Sequence, residues 1–247
     1  MIKFFRKIRY NLMSENKTGK YFKYAIGEIV LVVIGILIAL SINNWNEQRK
    51  TKISEISYIE SIKIDLIGDT ETINFIVENT KKRIAANELI LEQLRSFDTI
   101  TDSRPLYKLM RDNVGFIDLK VQDHTIETLK NSGNIEIINS KPIRGALQTY
   151  YDTVEIIYIQ QSIMNKSTAE SERAKFFNYL ESEKGILNNT KVPFDDRAKA
   201  NLPDAYAFLN HWVSNLKTYV NLLNNLNNRN LQLIESIQSD YPNKVEQ

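Results

Sequence analysis

Residues Tyr24 to Asn44 read YAIGEIVLVVIGILIALSINN. From Ala25 to Ile42 the run has 18 residues and only one charge, Glu28. A helix needs ~20 mainly apolar residues to cross the hydrocarbon core of a bilayer. Lys23 and Trp45 flank the run, where snorkelling cations and interfacial aromatic rings are expected. The stretch therefore predicts one transmembrane helix over residues 24–44, with a short segment before it and a long one after it.

Basic residues are concentrated before this predicted span. Residues 1–23 contain one acid, Glu15, and seven basic side chains: Lys3, Arg6, Lys7, Arg9, Lys17, Lys20 and Lys23. Beyond the run the nearest basic residues are Arg49, Lys50 and Lys52. Because the side with the Lys/Arg excess stays in the cytoplasm, we expect residues 1–23 to be cytoplasmic and residues 45–247 to be translocated.

The charge balance argues against a nucleic-acid partner. From residue 25 onward the chain carries four more acidic than basic residues, whereas a nucleic-acid reader needs a basic face. The basic N-terminal segment is better explained as a topology signal and as a contact with anionic lipid headgroups. The expected partner at this end of the chain is the lipid bilayer.

A cleavable signal peptide is the alternative explanation of the apolar run. Ala39, Leu40 and Ser41 place small residues at the spacing that a signal peptidase accepts, so cleavage after Ser41 is possible. The basic region before such a peptide would be unusually long and rich in aromatic residues. An uncleaved signal anchor fits the run better.

Small residues lie along one side of the predicted span. Gly27, Leu31, Gly35 and Ala39 follow one another at steps of four, and Gly35 and Ala39 form a small-xxx-small pair. Such faces let two membrane helices approach closely. Glycine and alanine are also common in membrane spans without any such role, so helix association and plain composition both remain open.

Glu28 is the one ionisable residue within the run. It lies about one turn inside the cytoplasmic boundary, where an ionised carboxylate is costly. Three explanations remain open: snorkelling to the interface, pairing with Lys20 or Lys23, and a protonated carboxyl in a helix interface. Interfacial placement lowers the cost and is favoured over an intramembrane proton or ion site.

The stretch KYAIGEIVLVVIGILIALSINNWNE, Lys23 to Glu47, resembles the N-terminal signature of a family of small membrane proteins from Bacteroidota that is defined as a domain of unknown function. Further along, TIETLKNSG at Thr125 to Gly133 and the pair Tyr150 and Tyr151 also resemble family positions. The resemblance implies a single-pass protein of a Gram-negative inner membrane, with the translocated part in the periplasm. It implies no activity and no catalytic residue.

Residues 45–247 are long enough for one domain with a sizeable core. The chain has no cysteine, so packing rather than disulfide bonds must stabilise it. Glycine and proline are few and the apolar spacing is helical throughout. We therefore predict an all-α fold in which one N-terminal transmembrane helix is followed by an antiparallel helical bundle.

Five helical stretches and one irregular stretch follow from the apolar spacing. The first helix is predicted over 45–97, with Asp69, Thr80 and Asn87 as polar breaks in its apolar stripe. Short helices should end near Asn113 and before Ser132-Gly133. The residues between Asn134 and Asn139 are a turn or a brief strand, and the turn is favoured. A long helix should run over 140–183, an irregular stretch over 184–202, and a last helix over 203–239.

Few residues are of the types and spacing that form a catalytic or metal site. Asp123, His124 and Glu127 can share a helix face, where a carboxylate and an imidazole hold a metal or orient a base. A second ligand group is missing around His211, and the pair Asp195-Asp196 lacks partners. We expect no catalytic residue, no cofactor and no metal ligand.

Three classes of function remain. The leading hypothesis is a non-enzymatic interaction module that binds a protein partner or assembles into a homo-oligomer. The second is a helical sensor or small-ligand-binding domain that acts through a separate partner protein. The third is an enzyme that uses Asp123, His124 and Glu127.

Overall fold

The fold is all-α in a computed structural model that describes residue 10, residues 18–167 and residues 179–242. These residues contain no strand, which confirms the predicted class. The described residues form seven helices: α1 (Thr18–Arg95), α2 (Arg104–Asn113), α3 (His124–Asn131), α4 (Lys141–Ser167), α5 (Tyr179–Asn188), α6 (Asp196–Ala200) and α7 (Leu202–Asp240). Two 3-10 turns, Phe97–Thr99 and Ile135–Ile137, lie between them, and the second confirms the turn that the sequence favours.

Two compact units make up the chain, residues 1–56 and residues 57–247. The apolar part of α1 lies in the first unit, where Leu31, Leu37 and their neighbours are exposed. Within the described residues α1 is the one helix long and apolar enough, by length and composition, to cross a membrane.

Helix α1 runs without interruption from Thr18 to Arg95. Proline is the strongest helix breaker, and the first proline of the chain is Pro105. Arg95 in the last turn suits the negative end of the helix dipole.

In the second unit, α7 runs antiparallel to α1. Near one end of the contact, the Asn230 side-chain amide donates to the Leu66 carbonyl at 2.7 Å. Near the other end, Arg95 Nε donates to Tyr206 Oη at 3.1 Å. Residue numbers rise along α1 as they fall along α7, which confirms the antiparallel packing.

Helix α7 also runs antiparallel to α4. Ser140, just before α4, donates from Oγ to Asp240 Oδ2 at 2.7 Å. About three-quarters of the way along α4, Gln161 Nε2 donates to Tyr219 Oη at 3.1 Å. The second unit is therefore built on three long helices, with α1 and α4 parallel to each other and α7 opposed to both.

The core forms where these three helices meet. The apolar stripe predicted on α7 is buried, with Trp212 and Tyr219 among the largest fully buried side chains. The matching stripes of α1 and α4 are buried as well: Ile59, Ile62, Leu66, Ile73, Ile76, Leu91 and Leu94 on α1, and Ile143, Leu147, Tyr150, Val154, Ile157 and Met164 on α4.

The segment over residues 114–123 has no regular structure and crosses this core. Its backbone is held by the Tyr219 hydroxyl, which accepts from Leu119 N at 3.1 Å and donates to the Ile117 carbonyl at 2.9 Å. Gln161 Nε2 also donates to the Leu119 carbonyl at 3.3 Å. Burial raises the pKa of Tyr219 to about 12, so its hydroxyl stays protonated and able to donate.

Several predicted helix ends are confirmed. Helix α2 ends at Asn113, before Gly115. Helix α3 ends as a Schellman motif, in which Asn134 N donates to the Leu129 carbonyl at 2.9 Å. Gly133 has a φ of 69°, a left-handed conformation that favours glycine.

The prediction for residues 184–202 is wrong in part. Helix α5 continues to Asn188 and α6 occupies Asp196–Ala200, so the irregular stretch is shorter than expected. Gly185 lies inside α5. A Cβ at this position would come within 2.4 Å of Val192 Cγ2 and 3.0 Å of the Thr190 carbonyl, so only glycine fits without a shift of its neighbours. The predicted continuity of a helix over 140–183 falls partly outside the described residues.

Replacing Tyr219 with Phe should lower the free energy of unfolding by roughly 2–4 kcal/mol, because several buried polar groups lose their partner. The measurement is denaturant unfolding of the full chain in detergent, followed by circular dichroism. Tyr158→Phe is the matched control, since that half-buried hydroxyl accepts one long bond, 3.4 Å from Val121 N. Equal losses for the two variants would contradict this role of Tyr219.

Candidate interaction surface and buried carboxylate cluster

Asp69 is a fully buried carboxylate on the core side of α1. Its Oδ1 accepts from Gln122 N at 2.8 Å, and its Oδ2 accepts from Tyr150 Oη at 2.7 Å. One side chain therefore joins α1, the segment over residues 114–123 and α4. A residue that interrupts the apolar stripe of α1 in the sequence is a central contact in the fold.

A second layer of contacts surrounds this carboxylate. Asp65 Oδ2 accepts from Thr125 Oγ1 at 2.5 Å. The rings of Tyr150 and Tyr151 meet edge to face with centroids 5.1 Å apart, and Lys130 Nζ lies 5.1 Å from the Tyr151 ring centroid. The two stretches that resemble family positions, Thr125 to Gly133 and the tyrosine pair, therefore meet at the same place on α1.

The electrostatics of the cluster are dominated by burial. Burial raises the pKa of Asp69 to about 6, the bonds from Gln122 and Tyr150 oppose the shift, and the nearby carboxylates of Asp65 and Asp123 add to it. Burial and the neighbouring Asp69 carboxylate also raise the pKa of Tyr150. The Tyr150 hydroxyl thus remains a donor to Asp69 throughout the physiological range.

Asp123, His124 and Glu127 are brought together, but on the surface. All three are exposed at the start of α3, and Glu127 Oε1 accepts from Lys130 at 3.3 Å. Among the described residues no group of three His, Cys, Asp or Glu side chains is placed to hold a metal ion. What these residues contribute is negative charge: Asp123 helps to raise the pKa of Asp69.

The other polar candidates lie apart from this cluster. His211 is exposed on α7. Asp195 caps the N-terminus of α6, where its carboxylate accepts from Ala198 N at 2.7 Å. Asp196 is exposed and lies 3.9 Å from Lys199.

The face of small residues in the predicted span is exposed in a single chain. Gly27, Gly35 and Ala39 are exposed, and a Cβ added at either glycine would meet nothing within 4 Å. Glu28 is half-buried. Association through this face stays a prediction.

An open groove of about 740 Å³ lies beside α4. It is lined by eight residues, two of them lysines: Asp118, Leu119, Lys120, Tyr158, Gln161, Ser162, Asn165 and Lys166. No local sequence pattern predicts this groove, because its two sides are separated by about forty residues along the chain.

Two helices also expose aliphatic and aromatic residues on the side away from the core. On α1 these are Ile64, Ile67 and Phe75, which are 67%, 43% and 60% exposed. On α4 they are Ile156, Ile159 and Ile163, which are 53%, 62% and 48% exposed. The apolar spacing predicts the single buried stripe of each helix, and these outer faces were not predicted. The sequence signal for these outer faces is the presence of isoleucines between the core positions of each helix.

These features define an all-α protein whose first described helix is long and apolar enough to span a membrane. The chain belongs to a family of unknown function, DUF6090, whose model matches residues 28–210. That range includes the Asp69 cluster and both exposed faces, and the match confirms the family resemblance. No curated protein and no solved structure matches the chain.

Asp69→Asn should flatten the pH dependence of stability. Because the pKa of Asp69 is raised from 3.8 to about 6 in the folded chain, the folded state holds this proton more tightly. Its contribution to the free energy of unfolding is therefore complete below pH 4 and falls as pH rises to about 6, by up to about 3 kcal/mol. Denaturant unfolding at a series of pH values measures the slope.

Asp118→Asn, the same substitution at an exposed position, is the control and should keep the wild-type slope. The charged groups that act on the pKa of Asp69 are Asp65 and Asp123, and both remain in both variants. An Asp69→Asn slope equal to that of the wild type would contradict the assignment.

Proposed function

We propose that the chain is a non-enzymatic interaction module, a helical domain over residues 45–247 held in the periplasm by the inner-membrane span 24–44. It binds a protein partner or assembles with itself. The observation that carries the proposal is the exposed face of α1 formed by Ile64, Ile67 and Phe75.

This face is separate from the face that builds the core. At ~100° per residue, Ile64, Ile67 and Phe75 lie on the side of the helix opposite Asp69. Single exposed apolar residues are ordinary, whereas a contiguous apolar patch with a polar rim is typical of a binding surface. Glu60 is exposed one turn before Ile64, and Glu71 is exposed between Ile67 and Phe75, so this face presents apolar and acidic side chains together.

The buried polar side chains support a scaffold rather than a reaction centre. Asp69, Tyr219 and Asn230 are each engaged in hydrogen bonds that join two or three elements. A buried side chain that is hydrogen-bonded in this way orients helices and is not accessible to a substrate. The rigid frame they create presents the outer face of α1 in a constant geometry.

The membrane topology rests on the charge asymmetry around the span. Seven basic residues precede it and three follow closely, and the positive-inside rule places the basic side in the cytoplasm. The family resemblance supports the inner membrane of a Gram-negative cell and hence a periplasmic domain.

A helical sensor or small-ligand-binding domain is the second candidate, and the groove beside α4 favours it. Lys120 and Lys166 would attract an anionic ligand, and the side chains of Tyr158, Gln161 and Asn165 would orient it. Native mass spectrometry of the full chain purified in detergent tests this alternative. A small molecule that is retained by the wild type and lost in Lys120→Ala would favour it.

A phosphatase fused after Gln247 should be active and one fused near Met13 inactive, because only the translocated side allows the enzyme to fold. The assay is phosphatase activity in intact cells, with the expression level of each fusion as its control. The reverse pattern would contradict the topology. A mature protein beginning at Ile42 would instead support the cleaved signal peptide.

A photoreactive amino acid placed at Ile64 or at Phe75 should form protein adducts in intact cells. The matched control is the same amino acid at Gln232, which is exposed on α7. Ile67→Lys should reduce the adduct at position 75 at least several-fold, because a charge within the patch must be desolvated on binding. Equal adducts at positions 75 and 232 would show that this face is not a binding surface.

A further inference from the structure

Two acidic side chains lie within the outer face of α1. Four exposed residues follow one another at steps of four, three and four, and so form one line along the helix: Glu60, Ile64, Ile67 and Glu71. Phe75 continues this line one turn later. At ~1.5 Å rise per residue the two acidic positions are about 16 Å apart along the axis, with the two isoleucines between them.

Neither acid is neutralised within the described part of the chain. No ion pair between described residues involves Glu60 or Glu71, whereas Glu78, further along α1, is paired with Lys82 at 3.1 Å. Lys63, three residues from Glu60, is half-buried and makes no ion pair with it. The neighbours of Glu71 at three and four residues' distance are isoleucine, glycine, asparagine and phenylalanine. Two unpaired negative charges therefore lie on this face.

These carboxylates restrict the kind of surface that can cover the isoleucines. Binding removes water from the apolar side chains and from the acids next to them, and a carboxylate that loses water without gaining a partner is costly. Opposite charges across an interface offset this cost, whereas like charges oppose the contact. The covering surface must therefore supply basic as well as apolar side chains.

Helix α1 of a second copy does not meet this requirement. In the proposed topology two copies in one bilayer have their spans at the same end, so a symmetric pair has its two-fold axis along the membrane normal. Helices that pack across such an axis run parallel, and each residue faces its own counterpart. Glu60 would then face Glu60, and Glu71 would face Glu71. The charges of this face therefore favour a different protein.

We propose that the outer face of α1 binds a helix of a second, different protein, which carries two lysine or arginine residues eleven positions apart, as Glu60 and Glu71 are. Aliphatic side chains between those bases pack on Ile64 and Ile67. The inference rests on the proposed function, because it names the partner of the same face.

The spacing of the bases follows from the geometry of helix packing. Two helices that cross at a small angle rise by the same distance per residue, so the bases of one match the acids of the other when their separations are equal. Steps of four, three and four read the same in both directions. The pattern therefore suits a partner helix that runs either way along α1.

The contact is small. Three apolar side chains cover far less than the ~800 Å² per partner of a standard stable interface. Exposed ion pairs add little affinity, but they determine which partner is accepted. The complex is therefore weak and selective, and covalent trapping in intact cells is the appropriate measurement.

Photocrosslinking of the full chain in intact cells, with the photoreactive amino acid at Ile64, tests the proposal. Glu60→Gln combined with Glu71→Gln should reduce the protein adduct at least several-fold, because the bases of the partner lose their acids. The matched control is Glu136→Gln combined with Glu235→Gln, which removes the same charge from exposed positions outside α1 and should keep the wild-type adduct. Circular dichroism of the purified variants checks that their helical content is unchanged.

Two further readouts characterise the partner. In spheroplasts, raising the ionic strength to ~1 M should weaken the adduct, because the Debye length falls to ~3 Å and the ion pairs are screened. Mass spectrometry of the crosslinked peptide should identify a chain other than this one, with two bases eleven positions apart around apolar residues.

Three results would overturn the proposal: an adduct between two copies of this chain, an adduct that Glu60→Gln with Glu71→Gln leaves unchanged, or a crosslinked peptide without basic residues at this spacing. In each case the adduct at Ile64 still exceeds that at the control position Gln232, so the proposed function stands. An adduct at Ile64 no greater than that at Gln232 would refute both.

Discussion

The bundle over residues 57–247 depends on how one buried carboxylate is satisfied. A carboxylate removed from water is costly unless it is hydrogen-bonded, and the loss of one partner leaves most of that cost in place. Asp69 meets this requirement with a backbone N–H from Gln122 and the hydroxyl of Tyr150. Any shift of α4 or of the segment over residues 114–123 along α1 would break one of these bonds. The apolar core supplies the stability, and this contact restricts the register in which the helices pack.

Tyr219 and Asn230 act in the same way on α7. Tyr219 holds the irregular segment through Leu119 and Ile117, and Asn230 donates to the Leu66 carbonyl on α1. Each of these polar side chains lies on the core side of a helix whose other core residues are apolar. Because the core sides of these helices make internal contacts, the exposed residues on the outer sides of α1 and α4 remain accessible to other proteins.

The sequence predicts the helices well and the contacts between them poorly, for a physical reason. Helical spacing is local, so the stripes on α1 and α7 and the glycine end of α3 could be read from neighbouring residues. Whether Asp69 merely interrupts a stripe or is buried depends on Gln122 and Tyr150, which come from distant parts of the chain. The glycine at position 185 likewise reflects the close approach of Val192, which cannot be read from helical spacing.

The central claim is that the outer face of α1 is covered by protein in the membrane. Its most direct measurement is the rate at which a membrane-impermeant maleimide labels a single cysteine that replaces Ile64, Phe75 or Gln232. The rate is compared between intact cells with a permeable outer membrane and monomer purified in detergent. The account predicts slower labelling in cells at the first two positions and equal rates at Gln232. Equal rates in cells and in detergent at all three positions would contradict it.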